Sequence, residues 1–436
     1  MKWNSRGWSD LGFAAMATIL CAHLSAASGF EVMVSAGKHD RVDTLVTMDI
    51  PPALKNVREW TVAENADGPV IAAQRWLDEA KPKLSWIIAG RLNAGAVKRF
   101  IVSPEGSNGA EGALAQCVDD GRHLILKIDH RPVLQYNHAV VESPAGIESI
   151  YRRSGHIHPL YTPSGREVTG DFPPDHAHQH GVFFPWVRTT FRGKPVDFWN
   201  QKGGTAKIEH AEIVGKTGGA VFAQFTVTKI HSAKTAPDQY EPVLKERWTV
   251  RAYNVSGLNV IDLESRQVNI SDVPLKIAKF HYGGLAIRGS HDWYDAGLES
   301  RINKLMKGKA SADELGKVVP LRDYLTSEGK TWLNGNATPA RWVEMHGEIG
   351  GKPAGVMVLG HPDNFRAPQT VRLHPGKPYF CFAPMATGDF EILPGKVYAS
   401  KFRFITHDGV VNAKLNELLW RDYAEPPTVK VKPLKP

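Results

Sequence analysis

Apolar and polar residues alternate along most of this chain, which is the pattern of β-strands with one buried face and one solvated face. Residues 221, 223, 225 and 227 are Val, Ala, Phe and Val, for example, and glycine pairs separate such runs. The runs do not alternate with amphipathic helices, so the pattern predicts a mainly β protein built of sandwiches. Runs of this type cover residues 43–50, 70–77, 84–88, 96–102, 124–128, 220–229, 247–253, 259–267 and 397–406.

Two segments depart from this pattern and predict helices. Residues 298–325 are rich in Lys, Glu, Ala and Leu, and we expect them to form an insertion that lies over the sheets. Between residues 415 and 423, leucines and a tyrosine recur at helical spacing. Pro426 then ends this helix, because proline cannot continue the hydrogen-bond ladder.

The N-terminal residues have the layout of a cleaved secretory signal peptide. Lys2 and Arg6 precede an apolar stretch over residues 11–24, and small residues follow at 25–28. This stretch is too short for a stable membrane span, and no later run reaches ~18 apolar residues, so we expect no membrane span in the mature protein. These features predict a periplasmic or secreted protein.

Glycine and proline cluster near residues 105–120, which indicates a boundary between domains. The mature chain of about 400 residues is longer than one compact core usually supports, so we expect two domains. The smaller would be a β-sandwich and the larger a two-sheet β-supersandwich. The expected units are a signal peptide at 1–28, the small N-terminal β-sandwich at 29–115, the supersandwich at 116–425 and a basic tail at 426–436.

Charge and cysteine content exclude some classes of protein. The net charge is +8, and the basic residues are scattered except for Lys430, Lys432 and Lys435 in the tail. This tail is either simply solvated or attracts acidic glycans. No stripe of aromatic and basic residues is present, so we expect no nucleic-acid partner. Cys117 and Cys381 could pair, but two cysteines do not make a disulfide framework.

The segment Asp175-His176-Ala177-His178-Gln179-His180-Gly181 carries the strongest chemical signal of the chain. In an extended strand, side chains at i, i+2 and i+4 project to one side, so the three imidazoles would share a face. Imidazole exchanges protons near neutral pH and is the commonest metal ligand, which makes His176, His178 and His180 candidate catalytic residues. His176 and His178 could also meet on one divalent transition metal ion, and Asp175 could orient an imidazole. A histidine-lined rim that packs against loops is the structural alternative.

Short motifs of polar, aromatic and glycine residues recur along the larger part of the chain. They are residues 136–138, 161–163, 175–181, 197–199, 281–285 with Arg288, 327–329, 361–364, 393–396 and 407–409. These motifs resemble those of a family of secreted bacterial proteins that is often labelled PmoA-like or methane-oxygenase-like and is carried as a domain of unknown function. The resemblance implies a galactose-mutarotase-like β-supersandwich, the fold of many sugar-active enzymes. A membrane methane monooxygenase is not implied, because its subunits need several spanning helices.

Other polar and aromatic residues of these motifs are candidates for the same site. Glu328 is the candidate general base, because a carboxylate in a partly closed pocket can exchange protons with a sugar. An exposed turn is its alternative role. Arg288 offers a planar donor fork to a substrate or to a buried carboxylate, and Trp199 could be a sugar platform or a core side chain. The candidate substrate-binding residues are Asp197, Trp199, His281, Tyr282, Arg288, His361 and Arg372.

The sequence therefore predicts a secreted carbohydrate-active protein that performs acid–base chemistry at a histidine-rich pocket. The reaction would be an epimerisation, elimination or hydrolysis of a sugar or glycan derivative. Two alternatives stay open: a glycan-binding module without turnover, and an oxidase or monooxygenase with a histidine-bound metal. Nucleophile elbows, phosphate-binding loops, dinucleotide-binding loops and His-Glu-x-x-His helices are not found in the sequence.

Overall fold

The computed structural model of the protein describes residues 29–104, 115–308 and 310–434. The expected signal peptide at 1–28 and most of the expected domain boundary, residues 105–114, lie outside the described residues. Within those ranges the chain forms 29 strands and three α-helices, which confirms the predicted mainly β class. Among the described helices, none is long and apolar enough to cross a membrane.

The residues up to 104 form a small two-sheet sandwich. Its strands are β1 (Phe30–Ser35), β2 (Arg41–Asp49), β3 (Trp60–Glu64), β4 (Val70–Ile71), β5 (Ala73–Asp78), β6 (Lys81–Leu92) and β7 (Val97–Pro104). One sheet has the order β1-β7-β3-β4 and the other has the order β2-β6-β5. Every second residue of β1 is buried, so Phe30, Val32 and Val34 face a core that also holds Trp60 and Trp86.

The larger part of the chain supplies the strands of three further sheets. They are β8 (Ala115–Asp119), β9 (His123–Ile128), β10 (Arg131–Asn137), β11 (His156–Leu160), β12 (Val182–Phe183), β13 (Thr189–Phe191), β14 (Lys194–Val196), β15 (Ala206–Thr217), β16 (Phe222–Ala236), β17 (Gln239–Tyr253), β18 (Asn259–Asn269), β19 (Leu275–Ile277), β20 (Ala286–Arg288), β21 (Arg322–Thr326), β22 (Thr338–Pro339), β23 (Trp342–Ile349), β24 (Lys352–Gly360), β25 (Thr370–Leu373), β26 (Tyr379–Phe382), β27 (Phe390–Ile392) and β28 (Val397–Asp408).

Two of these sheets are large, and their facing sides bury one continuous core. Nine strands have the order β22-β25-β26-β20-β12-β11-β10-β9-β8, and eight have the order β15-β16-β17-β18-β28-β24-β23-β21. Leu126 and Phe183 of the first sheet share this core with Phe225, Trp248 and Leu263 of the second. A four-stranded sheet, β14-β13-β19-β27, also contributes to the core. The predicted large two-sheet sandwich is therefore confirmed.

The helices match the sequence predictions in one place and only partly in the other. The helix α1 (Ala296–Lys307) begins at Asp295, whose side chain accepts two backbone N–H groups, and α2 (Ala312–Gly316) follows it. The predicted insertion at 298–325 is thus helical only in part, since its end belongs to the strand β21. The predicted C-terminal helix is confirmed as α3 (Ala413–Ala424), which packs Leu419 against the outer face of the eight-stranded sheet.

The expected basic tail is a strand instead. Residues Thr428–Pro433 form β29, which pairs antiparallel with β1 and extends the small sandwich to β29-β1-β7-β3-β4. Val429 packs against the core of that sandwich. The lysines that suggested a solvated tail alternate with valines, so one face of the strand is apolar and the other is charged. We therefore correct the prediction of a free tail at 426–436.

The small sandwich contacts the large one through β5. The Gln74 side-chain oxygen accepts hydrogen bonds from the backbone N–H groups of Val221 (3.0 Å) and Phe222 (2.9 Å). Next to it, the Arg251 guanidinium lies 4.1 Å from the Trp76 ring centroid and 4.2 Å from that of Phe222. Polar and stacking contacts thus hold the two sandwiches together.

Both cysteines among the described residues are free thiols. Burial raises the pKa of Cys117 to about 12 and that of Cys381 to about 11. Neither thiol is therefore ionised near neutral pH, which leaves both without the character of a nucleophile.

Candidate functional site

The histidine segment is not an extended strand. The His176 N–H donates to the Pro173 carbonyl (3.0 Å) and the Gln179 N–H donates to the His176 carbonyl (2.9 Å), so two tight turns follow each other. His180 lies after these turns and pairs with Asp171 in an isolated β-bridge. The prediction that three imidazoles project to one side was wrong, because the alternation rule applies only to extended backbone.

His176 is the accessible histidine of the segment, with 35% of its side chain exposed. Its Nδ1 lies 3.1 Å from Asp175 Oδ2 and also 3.1 Å from the Lys377 ammonium. A protonated Nδ1 donates to Asp175, and a deprotonated Nδ1 accepts from Lys377. Nδ1 therefore has a hydrogen-bond partner in either tautomer of the neutral ring, and in the tautomer with Nδ1–H donated to Asp175 the Nε2 lone pair can accept a proton.

Asp175 is fixed by Arg288, which donates two parallel hydrogen bonds of 2.9 and 2.7 Å to its carboxylate. Burial alone would raise the pKa of Asp175, but the hydrogen bonds from His176 and Arg288 lower it well below its ordinary value. Arg288 is itself buried and also donates to Gln179. Its predicted role as a substrate anchor was wrong, because its donor fork already holds Asp175.

Lys377 is a residue of this site that the sequence interpretation missed. It is buried, and its ammonium lies 3.0 Å from Glu299 of α1 and 3.8 Å from Asp175. Tyr294 donates a hydrogen bond of 3.0 Å to the same Glu299. No sequence motif marks this lysine, so its contact with His176 is visible only in the folded structure.

Two further histidines near His176 are neutral at ordinary pH. Burial and the neighbouring His176 lower the pKa of His178 to about 3. Burial and the charge of Arg372 lower the pKa of His374 to about 2, and the His374 Nδ1 accepts the Gly376 N–H at 3.2 Å. His178, whose ring centroid is 5.3 Å from that of His176, thus lies beside the site as a neutral ring and not as an acid.

His180 belongs to a buried triad with His156 and Asp171. Its Nδ1 lies 2.6 Å from one Asp171 oxygen, and the His156 Nε2 lies 3.2 Å from the other. Both histidines are fully buried. One possible ligand atom from each of the three residues lies within 4.8 Å of the other two. Two imidazoles and one carboxylate at this spacing could hold a metal ion.

The orientation of the neighbouring Gln201 amide indicates which nitrogen of His180 carries a proton. The Gln201 amide nitrogen donates to two backbone carbonyls at 3.3 Å, so its oxygen faces His180 Nε2 at 3.0 Å and accepts from it. That leaves His180 Nδ1 either as a second donor to Asp171 or, deprotonated, as a metal ligand. A ligand histidine that donates its other N–H to a carbonyl oxygen is the usual arrangement at metal sites.

The backbone around the triad is unusually constrained. Phe172 follows Asp171 with a φ of 46°, a left-handed conformation that bulky residues rarely adopt, and its ring packs edge-on against His180 at 4.7 Å. Gly181 has a φ of 48°, and a Cβ there would lie 2.1 Å from the Ile157 carbonyl oxygen. The glycine after His180 is therefore required by close approach to β11.

The predicted metal ligands change accordingly. We expected His176 and His178, but among the described residues the compact group of ligating side chains is His156, Asp171 and His180. His156 and Asp171 were missed because they precede the histidine segment and carry no local motif. The His-x-His of residues 156–158 was the one available sequence signal.

Asp197 and Trp199 have structural roles. Asp197 accepts the backbone N–H groups of Trp199 (2.8 Å) and Asn200 (2.9 Å), which closes a turn. Trp199 is 1% exposed and packs between Phe183 and Tyr282 with centroid distances of 4.9 and 5.1 Å. The predicted sugar platform at Trp199 was wrong, because neither face of the indole is free.

Arg372 lies near both His281 and His374, since its charge lowers the pKa of each after burial. The exposed His281 ring packs on Phe280 at 4.3 Å, and burial and the charge of Arg372 lower its pKa. The half-buried Tyr282 accepts a hydrogen bond from the Asn200 amide at 3.3 Å. His281, Tyr282 and Arg372 remain candidate binding residues at the rim of the site.

Glu328 and His361 both lie near Arg341, and His361 lines a separate groove there. Glu328 is 50% exposed, and its contacts are Ser327 at 3.1 Å and Arg341 at 3.7 Å. His361 and Arg341 line a cavity of about 150 Å³ together with Trp420. The predicted partnership of Glu328 and His361 with the histidine segment is therefore corrected, since both residues lie around Arg341.

A buried ionic network between the two large sheets was also not predicted. Its centre is Glu246 of β17, which is fully buried and has no free oxygen. Its donors are Lys229 at 2.9 Å, His231 at 2.8 Å, Trp248 at 2.7 Å, Ser265 at 2.6 Å and Gln267 at 3.1 Å. Five residues of the neighbouring strands β16, β17 and β18 thus satisfy one carboxylate.

Comparison with known proteins places the chain in a family and gives distant structural neighbours. A protein of the glycosyl hydrolase family 38 from Enterococcus faecalis is 12% identical, with 93% of this chain and 47% of that chain covered and a TM-score of 0.43. A galactose mutarotase related enzyme from Lactobacillus acidophilus is 12% identical, with 67% and 97% covered and a TM-score of 0.30.

An α-mannosidase, also from Enterococcus faecalis, is 11% identical over 93% of this chain and 46% of its own, with a TM-score of 0.42. This chain thus spans about half the length of the two Enterococcus proteins. No curated protein matches it. The model of a family of unknown function (DUF6807) matches residues 123–421, more than half of the chain, and the protein therefore belongs to that family.

Proposed function

We propose that this protein is a periplasmic or secreted carbohydrate-active enzyme that transfers a proton to or from a sugar at His176. The observation that carries the proposal is the half-exposed His176 ring, which has Asp175 as acceptor and Lys377 as donor at one nitrogen. The other nitrogen, Nε2, is the proposed proton-transfer atom, and the Lys377 ammonium lies 3.5 Å from it. Epimerisation, elimination and hydrolysis all include such a transfer.

Each neighbour of His176 has a defined part in this proton transfer. When His176 takes a proton from the substrate, Asp175 accepts its Nδ1–H and stabilises the imidazolium. Arg288 positions the Asp175 carboxylate without touching the substrate. The Lys377 ammonium disfavours a second positive charge beside it, so it assists return of the proton to the product.

A sugar is the proposed substrate class because cationic hydrogen-bond donors lie near the base. The Lys377 ammonium lies 3.1 Å from His176, and burial together with the charges of Arg372 and Lys377 lowers the pKa of the neighbouring His374. Such donors suit a polyhydroxylated or acidic molecule and not an apolar one. The PmoA-like label from the sequence stays a prediction.

The test uses the purified protein in D2O with a panel of hexoses, uronates and oligosaccharides. NMR would follow anomer interconversion, deuterium at carbon and new unsaturated or reducing-end signals. We expect at least one reaction, slowed by a factor of about 10²–10⁴ in His176→Gln. His130→Asn, at an exposed turn, is the matched control. Full activity of His176→Gln would contradict the proposal, and binding without turnover would favour a glycan-binding module.

We also propose that the triad of His156, Asp171 and His180 binds one divalent transition metal ion. The compact, buried donor set and the Gln201 contact to His180 favour this second function. The ion would supply Lewis-acid chemistry when bound. His156, Asp171 and His180 would hold it, with Gln201 accepting the His180 Nε2–H so that Nδ1 would be the ligand atom.

Elemental analysis of the purified protein tests the metal site. We expect near-stoichiometric zinc, iron, copper or manganese in the wild type and its loss in His156→Gln. His176→Gln, which alters a histidine of the same segment, should retain the metal. A metal-free wild type that has been purified without chelators would contradict the proposal, and so would loss of the metal from His176→Gln alone.

A further inference from the structure

A large polar cavity lies next to the triad and shares one wall residue with it. Its volume is about 510 Å³, and it is enclosed by the loop around residues 149–154, the turn at Gln201 and the start of β15. Gln201 lines this cavity and also contacts His180. Neither proton transfer at His176 nor metal binding explains the cavity.

Arg153 lines the cavity and is the unusual residue in it. It is only 4% exposed, and its Nε is completely buried without a hydrogen-bond partner. Other buried arginines have acceptors: Arg41 pairs with Asp422, Arg288 pairs with Asp175, and Arg322 donates to backbone carbonyls. Among the four buried arginines of the described chain, Arg153 alone has no hydrogen-bond acceptor at its guanidinium, which lies 5.7 Å from the Phe183 ring centroid.

A buried guanidinium without a hydrogen-bond acceptor is stabilised by binding an anion. Burial lowers the pKa of Arg153 to about 10, and the charges of Asp171 and Glu246 act on it only from beyond contact distance. A buried cation without a hydrogen-bonded acceptor destabilises the folded state. An anion in the cavity would remove that destabilisation.

The other charged residues of the cavity wall also carry a net positive charge. Arg152 and Lys207 add two positive charges, whereas Glu209 is the single carboxylate of the wall and pairs with Lys207 at 2.7 Å. Tyr240, against which the Lys207 ammonium packs at 4.9 Å, supplies an aromatic wall. The wall is therefore basic overall and can make both charged and stacking contacts.

We propose that this cavity binds an oxyanion (a carboxylate, sulfate or phosphate group) with the Arg153 guanidinium as its main donor. Planar arginine forks match these groups with two parallel hydrogen bonds. The anion belongs either to a small free ion or to an acidic sugar such as a uronate. The proposal does not depend on the chemistry at His176.

Isothermal titration at constant ionic strength tests the site with sulfate, phosphate and glucuronate, and with glucose as the uncharged control. We expect at least one oxyanion to bind and glucose not to compete for this site. Arg153→Met should weaken the binding at least tenfold. Binding of glucuronate alone would identify an acidic sugar as the ligand, and equal binding of all three would identify a general anion site.

Further variants keep the proposal testable if Arg153→Met does not fold. The double variant Arg152→Gln/Lys207→Gln alters exposed wall residues and should weaken the same binding several-fold. Arg266→Gln, an exposed arginine of β18, should bind like the wild type. His176→Gln should also bind like the wild type, which separates this site from the proposed proton transfer. The proposal is overturned if no oxyanion binds at tens of millimolar, or if Arg153→Met binds unchanged.

Discussion

The buried pair of Lys229 and Glu246 allows a stability prediction with a defined size. Glu246→Gln removes the negative charge but keeps the side-chain volume. The Lys229 ammonium, 1% exposed and 2.9 Å from Glu246, then stays in the core without a countercharge. Breaking a buried pair in this way costs about 3–5 kcal/mol, so we expect the free energy of unfolding to fall by that amount.

The pH dependence of this loss follows from the lysine. Burial lowers the pKa of Lys229 to about 8 in the folded protein, although Glu246 acts in the opposite direction. Its pKa in the unfolded chain is about 10.4, so above pH 8 the unfolded state binds the proton more tightly than the folded state. In Glu246→Gln the pKa of the folded Lys229 falls further, because the raising effect of Glu246 is gone. Between that lower pKa and pH 8 the variant gains stability as the pH rises and the wild type does not, so the deficit should shrink as the pH rises towards 8, by up to about 1.4 kcal/mol per pH unit, and stay constant from pH 8 to 10.

Urea unfolding followed by tryptophan fluorescence measures the effect in a double-mutant cycle. Lys229→Met/Glu246→Gln should be more stable than Glu246→Gln alone, because the second change removes the unpaired charge. The exposed pair Lys202 and Glu148, 3.4 Å apart and 73% and 63% exposed, is the matched control. Its coupling energy should be about 0–1 kcal/mol. Equal coupling energies for the two pairs would refute the reasoning.

Three other changes should have distinct effects. His374→Asn keeps an acceptor for the Gly376 N–H but cannot take a proton. The pKa of His374 is about 2 in the folded protein and about 6.5 in the unfolded chain. As the pH falls below 6, the free energy of unfolding of the wild type should therefore decrease by up to about 1.4 kcal/mol per pH unit, and that of the variant should decrease less. Urea unfolding at each pH measures both values. Gly181→Ala should lower the free energy of unfolding by more than about 1 kcal/mol in thermal unfolding. Gly165→Ala, whose Cβ would meet nothing within 4 Å, should lower it less. Deletion of Thr428–Pro433 should remove hydrogen-exchange protection from the β1 amides that pair with it, and unchanged protection would contradict the strand assignment.

The parts of the fold that the sequence predicted are those with a local period. Alternating apolar residues follow from the two-residue repeat of a strand, and the C-terminal helix follows from its 3.6-residue repeat. The prediction failed where a short segment has no period of its own. Thr428–Pro433 is a strand because an edge of the small sandwich is available to it, which a lysine-rich sequence does not reveal.

The site was predicted in part for a related reason. Residue types were a sufficient guide to His176 and Asp175, which are adjacent in sequence and contact each other. The partners of His180 could not be read in the same way, because Asp171 and His156 reach it across β-bridges and separate strands. Trp199 was misassigned because an aromatic residue beside a carboxylate looks the same in sequence whether it is in the core or in a binding site.

The interior between the large sheets argues for a function beyond the accessible histidine. Facing sheets usually bury apolar side chains, yet this core also contains Glu246, Asp171 and Arg153. Glu246 is fully satisfied by five donors, whereas the Arg153 Nε and the His156 Nδ1 are buried without partners. Charge on Arg153 also lowers the pKa of His156, after burial, so the two residues are near each other. Buried polar atoms without partners destabilise a fold, and a ligand bound beside Arg153 and His156 would supply the partners that these two side chains lack.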